Sequence, residues 1–246
     1  MAKIQVRRDT ATAWRTANPI LSSGEIGVTT DSRIMKMGDG VTAWNALLGT
    51  WIGGAWPGWS DNFNRTNGDP GTNWVRFANY NTSVYPVINT NRIVGATSGT
   101  DPADMTDGLV VAPALAPPSP TYFVEASIGA LTKEAGLILG ATETTSHAQT
   151  ANAGPLALFL RVRPAGWVVL LARTASAAYT VVDSGAAAQT AGGTIRVEHA
   201  GNTVTFKYKG ATLWSGTMPG AVTGRQPGIS VVQSTDAVDD FTIGTL

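Results

Sequence analysis

The sequence predicts an all-β protein in which a small N-terminal β module precedes a larger antiparallel β-sandwich. Apolar and polar residues alternate over many short segments, as they do in half-buried strands. Turn-forming residues separate these segments at intervals of roughly 8–12 residues, which is typical of sandwiches and barrels. A linker rich in glycine and tryptophan at residues 51–60 divides the module, residues 1–50, from the sandwich, residues 61–246.

Composition excludes several classes of function. The chain of 246 residues has 17 basic and 17 acidic side chains, without a basic cluster that would bind nucleic acid. It has no cysteine, so we expect no disulfide framework. No run approaches the ~20 apolar residues of a membrane span, and Met1 leads into the first motif without a signal peptide. We therefore expect synthesis in a cytosol, no membrane insertion and no nucleic-acid partner.

The N-terminal module begins with a predicted strand and a predicted helix. Alternation over residues 3–8 indicates the strand, and Asp9 or Thr10 can cap a helix over residues 11–17. Pro19 ends this helix, because proline disfavours helical backbone at the residue before it.

Residues 25–49 are the most strongly patterned part of the module. Two strands are predicted, and Gly-Asp-Gly at residues 38–40 forms a turn, because glycine permits positive φ and aspartate can cap the turn. Such a segment cannot bury its apolar side chains unaided, since chains below roughly 40 residues usually need oligomerisation or a clip. We therefore predict that another copy of the chain covers Ile26, Val28, Ile34, Met37, Trp44 and Leu47.

A series of short motifs occurs in a fixed order through residues 3–49. The motifs are VRRDT at residues 6–10, Trp14, NPIL at 18–21, GEIGV at 24–28, TD at 30–31 and KMGDGVTAW at 36–44. With these motifs, the segment resembles the N-terminal module of bacteriophage tail-fibre and receptor-binding proteins of the major-tropism-determinant type. The resemblance implies an intertwined, homotrimeric β-rich collar that joins a virion body to a C-terminal domain, and it implies no catalysis.

From residue 61 onward the sequence predicts many short strands. They are expected at residues 108–111, 122–128, 136–141, 156–162, 168–173, 179–183, 194–199, 204–207, 212–215, 228–233 and 240–243. DNFNR at residues 61–65, the meander at residues 195–214 and DDFTI at residues 239–243 resemble the opening, late and closing strands of concanavalin-A-like, laminin-G-like jelly rolls. This resemblance implies that the first and last strands of the sandwich lie together near the linker.

The jelly-roll group includes glycoside hydrolases, whose retaining mechanism needs two carboxyl groups about 5–5.5 Å apart. In those enzymes the carboxyl groups lie on one strand, in a pattern that begins Glu-x-Asp. Here none of the glutamates has an acidic residue two positions away; they are Glu25, Glu125, Glu134, Glu143 and Glu198. We therefore predict that the protein is not an enzyme.

Candidate metal ligands are few. Neither His147 nor His199 has the companions that a metal site needs. Asp61, Asp239 and Asp240 are candidates for a structural Ca²⁺ site, because pairing of the first and last strands would bring them together. The alternative is that these carboxylates face solvent at the ends of strands. We expect no other cofactor.

Two groups of aromatic residues are candidates for binding. Tyr80, Asn81 and Tyr85 combine rings that can stack on sugars with an amide that can hydrogen-bond to them. The alternative is that the tyrosines are ordinary loop residues. The three tryptophans of the linker either pack onto neighbouring structure or form a docking patch for a partner.

These features together predict a structural protein of a tailed bacteriophage virion. The leading role is a minor tail or tail-fibre protein that contacts the host surface, with a glycan as the candidate ligand. The alternative is a capsid decoration protein or head fibre, because both roles need only a trimeric anchor and an outer domain. In either case we expect other virion proteins as partners, synthesis in the host cytoplasm and a final location in the virion.

Overall fold

The computed structural model describes residues 6–31, 33–47, 49–51, 56, 58–77, 86–95, 108–112, 115–141, 155–173, 179–220, 222 and 224–246. The chain forms two compact units, Met1–Trp56 and Pro57–Leu246. None of the described helices has the length and apolar character that crossing a membrane requires.

The N-terminal unit is a four-stranded sheet with one short helix. Its elements are β1 (Arg7–Asp9), α1 (Ala11–Ala17), β2 (Ile26–Thr29), β3 (Ile34–Met37) and β4 (Gly49–Trp51), and the strand order is β1-β2-β3-β4. The predicted helix is confirmed: the Thr10 hydroxyl accepts a hydrogen bond from the Ala13 backbone N–H, and Asn18 ends the helix in a left-handed conformation. Strand β1 pairs with β2 in parallel, and the other pairs are antiparallel.

The second unit is a sandwich of two antiparallel sheets. Its strands are β5 (Trp59–Asp61), β6 (Trp74–Phe77), β7 (Val87–Asn89), β8 (Arg92–Val94), β9 (Gly108–Val111), β10 (Thr121–Ala130), β11 (Ala135–Ala141), β12 (Pro155–Arg163), β13 (Gly166–Arg173), β14 (Tyr179–Gly185), β15 (Gly193–Ala200), β16 (Thr203–Tyr208), β17 (Ala211–Thr217), β18 (Gln226–Val231) and β19 (Ala237–Thr245). The eight-stranded sheet has the order β17-β16-β15-β10-β19-β8-β7, and β5 is its eighth strand, paired to β19. The seven-stranded sheet has the order β14-β13-β12-β11-β18-β9-β6. The all-β prediction is therefore confirmed.

The first and last strands of the sandwich lie together, as the jelly-roll resemblance implied. Asp61 is opposite Phe241, and Trp59 is opposite Ile243. The Trp59 ring packs 5.4 Å from that of Trp74, centroid to centroid. Trp59 thus belongs to the sandwich, and the predicted linker at residues 51–60 is shorter than expected.

Side chains from both sheets meet in the sandwich core. The Trp167 ring on β13 contacts the Phe206 ring on β16, with centroids 6.3 Å apart, so Trp167 faces the partner sheet. Alternate residues of a strand point to opposite faces. Val168 and Leu170 therefore point away from the partner sheet, and this defines the outer face of the seven-stranded sheet.

The outer face of the seven-stranded sheet also carries an apolar cluster. It consists of Val110, Ile138, Ala141, Ala157, Phe159, Val168 and Leu170, all of which are buried. Strands β9, β11 and β18 are buried at every position, so both faces of the central part of this sheet are shielded from water. Strands buried on both faces are expected to be apolar throughout rather than alternating, as the sequence GLILGA of β11 illustrates.

Candidate functional site

Two tryptophans form the centre of the N-terminal unit. The rings of Trp14 and Trp44 are stacked 4.0 Å apart with 14° between their planes, and Leu21 completes the cluster. The Arg7 guanidinium lies 5.0 Å from the Trp14 ring centroid, and the Lys36 ammonium lies 4.9 Å from that of Trp44. The Lys36 amine also donates a hydrogen bond to the Trp44 backbone carbonyl at 2.7 Å. Burial lowers the pKa of Lys36 to about 8.

The position of Trp44 corrects part of the predicted oligomer interface. Trp44 is 3% exposed within the single chain, and Leu47 packs against the same cluster. Helix α1 supplies an apolar partner for Trp44 through Trp14, so a second copy is not needed to bury Trp44. Leu47 is only partly buried, and its place in an oligomer interface stays a prediction. Sequence spacing did not reveal this contact, because Trp14 and Trp44 are distant in the chain.

The other predicted interface residues are less buried. Met37 is 59% exposed, and intermediate burial is found for Ile26, Val28 and Ile34. These four residues keep apolar surface that a partner could cover, and the prediction that they lie in an oligomer interface stays a prediction.

Three large apolar side chains of the N-terminal unit are strongly exposed, and we call them the exposed apolar patch: Ile20 (58%), Met37 (59%) and Val41 (76%). Backbone contacts bring their chain segments together around Leu21. The Gly40 N–H donates to the Leu21 carbonyl at 3.1 Å, and a Cβ placed on Gly38 would lie 2.5 Å from the Leu21 Cβ. Ile20 and Val41 are not among the residues predicted for the oligomer interface.

The Gly-Asp-Gly turn has the predicted cap. The Asp39 carboxylate accepts hydrogen bonds from the backbone N–H groups of Val41 and Thr42 at 2.9 and 2.7 Å and from the Thr42 hydroxyl at 2.5 Å. These hydrogen bonds, that of the Thr42 hydroxyl above all, lower the pKa of Asp39 to about 2. Gly40 has φ +84°, as predicted, whereas Gly38 is required because a Cβ would collide with the Ser22 carbonyl.

Asp61, one of the predicted calcium ligands, is used within the fold. Its carboxylate accepts two hydrogen bonds from the Arg65 guanidinium, both at 2.7 Å, and one from the Trp74 indole at 2.8 Å. The Phe63 backbone N–H donates a further one at 2.9 Å. Burial opposes ionisation of Asp61, but the hydrogen bonds from Arg65 and Trp74 outweigh it and lower its pKa.

The other two predicted calcium ligands lie nearby on β19. Asp239 is 3.8 Å from the Arg92 guanidinium, and burial raises its pKa. Asp240 is exposed and has φ +50° at a bulge in the pairing with β10. An open groove of about 380 Å³ passes these strands, lined by Ser60, Asp61, Asn62, Asp240, Phe241 and Thr242. Within the described part of the chain no group of three or more acidic, histidine or cysteine residues could hold a metal ion. The calcium site at these aspartates stays a prediction.

The predicted glycan-binding residues Tyr80, Asn81 and Tyr85 lie outside the described residues. Trp74, which precedes them, is 6% exposed and donates its indole N–H to Asp61. Its ring is therefore part of the sandwich core and does not face a ligand. The prediction for the two tyrosines and the asparagine stays a prediction.

The outer face of the seven-stranded sheet contains an ionic cluster that was not predicted from the sequence. We call Glu134, Arg161, Arg163 and Ser230 the polar centre. One Glu134 carboxylate oxygen accepts a hydrogen bond from the Arg161 guanidinium at 3.2 Å, and the other lies 3.6 Å from that of Arg163. Arg161 also donates to the Ser230 hydroxyl at 2.6 Å and lies over the Phe159 ring at 4.8 Å. The Arg161 side chain is fully buried, which is rare for arginine unless it is paired.

A buried aspartate positions Glu134. Asp236 is fully buried, and its carboxylate accepts hydrogen bonds from the backbone N–H groups of Thr132, Lys133 and Glu134 and from the Thr132 hydroxyl. These bonds fix the loop between β10 and β11, and the Glu134 side chain leaves this loop toward Arg161. The residues involved are far apart in sequence, so no local pattern could have revealed the cluster.

The N-terminal motifs can be compared with families of known proteins. Residues 4–42 match the major tropism determinant N-terminal domain. The match covers much of the N-terminal unit, and it supports the resemblance to a phage receptor-binding module that the motifs indicated. Curated proteins gave no match.

Solved structures show the kind of fold that the second unit has. The carbohydrate-binding module CBM66 from Bacillus subtilis aligns with a TM-score of 0.53 at 10% identity, covering 71% of this chain and 96% of that chain. A Bacillus subtilis protein of unknown function with a galectin-like fold gives 0.49 at 10% identity, covering 78% and 97%. The family GH16 endo-β-1,3(4)-glucanase SCLam gives 0.47 at 12% identity, covering 76% and 93%. The first likeness confirms the predicted jelly-roll sandwich.

Proposed function

We propose that this protein is a receptor-binding component of a tailed bacteriophage virion, most simply a minor tail or tail-fibre protein. The observation that carries the proposal is the order of the two units. A segment that matches the tropism-determinant N-terminal domain is followed by a separate sandwich with the fold of a carbohydrate-binding module. In this arrangement the first unit attaches to the virion and the second contacts the host surface.

The N-terminal unit joins three copies of the chain in this proposal. The exposed apolar patch and the half-buried β2 and β3 side chains supply the surface, since exposed apolar side chains that cluster commonly mark an interface. A trimer also suits the function, because three weak sites on one particle gain effective concentration without any new contact.

The sandwich binds a glycan in this proposal and does not catalyse its cleavage. The carbohydrate-binding module that shares its fold supports the ligand class. The Glu134 carboxylate, which lies on the outer sheet face, is held between two guanidiniums instead of facing a second carboxyl group. Retaining hydrolysis would require that second group at about 5–5.5 Å.

Labelling and binding experiments test this function. Gold-labelled antibody against the sandwich should mark the tail or its fibres in electron micrographs of the virion. The purified chain should bind host cells, and light scattering should give the mass of three chains. Label on the capsid together with no binding to cells would contradict the receptor-binding role and favour a decoration protein or head fibre.

A further inference from the structure

Arg163 lies at the end of the outer face of the seven-stranded sheet. Register pairs Arg161 with Val168, which points away from the partner sheet, and pairs Arg163 with Gly166 two residues further on. Both arginines therefore project from the same face. They do so beside the apolar cluster, where Phe159 contacts Arg161.

Arg163 is the member of the polar centre that reaches solvent. Its side chain is 33% exposed, against 4% for Glu134 and 0% for Arg161. Its contact with Glu134, at 3.6 Å, is an ion pair longer than a hydrogen bond. Within the described ranges the Arg163 guanidinium makes no hydrogen bond, so its N–H groups are available to a ligand.

The charge of Arg163 is only partly neutralised. One Glu134 carboxylate oxygen accepts a hydrogen bond from Arg161 at 3.2 Å, and the other lies 3.6 Å from the Arg163 guanidinium. Two guanidiniums therefore share one carboxylate. The nearby Asp236 carboxylate is occupied by three backbone N–H groups and the Thr132 hydroxyl. The Glu134 and Arg161 contacts also hold the surroundings of Arg163 in place, which limits the ordering cost of binding.

We propose that Arg163 binds an oxyanion, a carboxylate or a phosphate, of an acidic polysaccharide. A guanidinium is suited to this ligand, because its planar N–H groups can form two parallel hydrogen bonds to either oxyanion. The inference rests on the proposed function, since it names the chemical class of the glycan that the sandwich contacts. Arg163 determines specificity for charge, while Glu134 and Arg161 position it.

The test measures binding of the full-length protein to three immobilised polymers and to host cells. The polymers are polygalacturonate, which carries carboxylates, poly(glycerol phosphate), which carries phosphates, and neutral dextran. We expect binding to at least one acidic polymer, no binding to dextran, and weakening as NaCl rises from about 0.05 to 0.5 M. The acidic polymer that binds identifies the oxyanion.

Two substitutions of Arg163 and one control locate the contact. Arg163→Gln should weaken binding to the acidic polymer about tenfold or more, and Arg163→Lys should lose less, because it keeps the charge. Arg225→Gln is the matched control: it removes one exposed charge from the opposite end of the same sheet and should bind like the original protein. Thermal unfolding shows whether each variant is folded.

The outcomes separate this inference from the proposed function. Equal binding to dextran, no binding to either acidic polymer, or unchanged binding by a folded Arg163→Gln variant would overturn the role of Arg163. If binding to host cells persists in any of these cases, the proposed receptor-binding function is retained and only the role of Arg163 is rejected. Binding to an acidic polymer through Arg163, with no binding to host cells, would support the site and contradict the function.

Discussion

In the N-terminal unit, four short strands and one helix enclose two stacked tryptophans and a leucine, whereas in the sandwich the central strands of one sheet are buried on both faces. The small unit leaves Ile20, Met37 and Val41 largely exposed. Among its described residues the larger unit exposes Val181 and Val182 on its edge strand β14 and Leu246 at the end of the chain. The two units therefore differ in core size, and the proposed oligomer places its interface on the unit with the smaller core.

Truncating one of the stacked tryptophans should give the largest difference in stability between the two units. Trp14→Ala removes a buried ring and leaves a cavity, so we expect the N-terminal unit to lose about 3–5 kcal/mol of stability. Calorimetry of the full chain should show the transition of this unit lowered or lost while that of the sandwich stays. Phe206→Ala, in the core of the sandwich, should give the reverse pattern. A single transition that shifts as one in both variants would show that the units do not unfold independently.

The pH dependence of the N-terminal unit should reflect Lys36. Its pKa is lowered by burial to about 8 in the folded chain, from 10.5 in the unfolded chain. Between these values the unfolded chain binds more protons, so the unit should gain stability as pH rises from 8 to 10.5. Chemical denaturation followed by tryptophan fluorescence measures the gain. Lys36→Met should abolish this gain, and its persistence in that variant would assign it to another group.

The turn at residues 38–40 should be intolerant of a β-branched side chain. Gly40 has φ +84°, and Gly40→Val should therefore cost on the order of 1–2 kcal/mol in backbone strain. Gly38→Val should also destabilise the turn, because its side chain would collide with the Ser22 carbonyl and Leu21. Both variants should weaken assembly and leave the sandwich folded. Unchanged oligomer stability in both would contradict the role of this turn.

The exposed apolar patch should affect assembly more than folding. Val41→Ser and Met37→Ser should change the stability of the single chain by less than about 0.5 kcal/mol, since both side chains are largely exposed. Analytical ultracentrifugation should show that the oligomer dissociates at higher protein concentration. Val6→Ser, which alters an exposed side chain outside the patch, should leave assembly unchanged. Dissociation by Val6→Ser alone would move the interface to the residue that precedes β1.

Local sequence patterns predicted much of the fold. The helix cap at Thr10 and the long strands of the sandwich depend on neighbouring residues, and the structure has both. Strands β4, β6, β7 and β8 were not predicted, and the predicted opening strand at residues 61–65 is found as β5 at Trp59–Asp61.

Contacts between distant residues account for what the sequence did not reveal. The Trp14–Trp44 stack buries Trp44 within the single chain, so Trp44 does not need the predicted second copy. Its partner comes from a helix thirty positions earlier in the same chain. The polar centre joins residues on two strands and a loop, and each of its side chains is unremarkable in its local sequence. Both features depend on contacts between residues that are distant in the sequence.

The pairing of β5 with β19 also determines how the sandwich would carry a mechanical load. Any tension transmitted along the chain from residue 56 enters the sandwich at β5, which has only three residue pairs with β19. The Trp59 ring is wedged against Trp74 and Phe241, and Gly58 lies so close to the Ile243 carbonyl that no side chain would fit. A force that detaches β5 must therefore break the packing of the Trp59 ring as well as the hydrogen bonds between β5 and β19. For a domain tethered at one end, these side chains are the anchor that sets the force at which the strand would peel away.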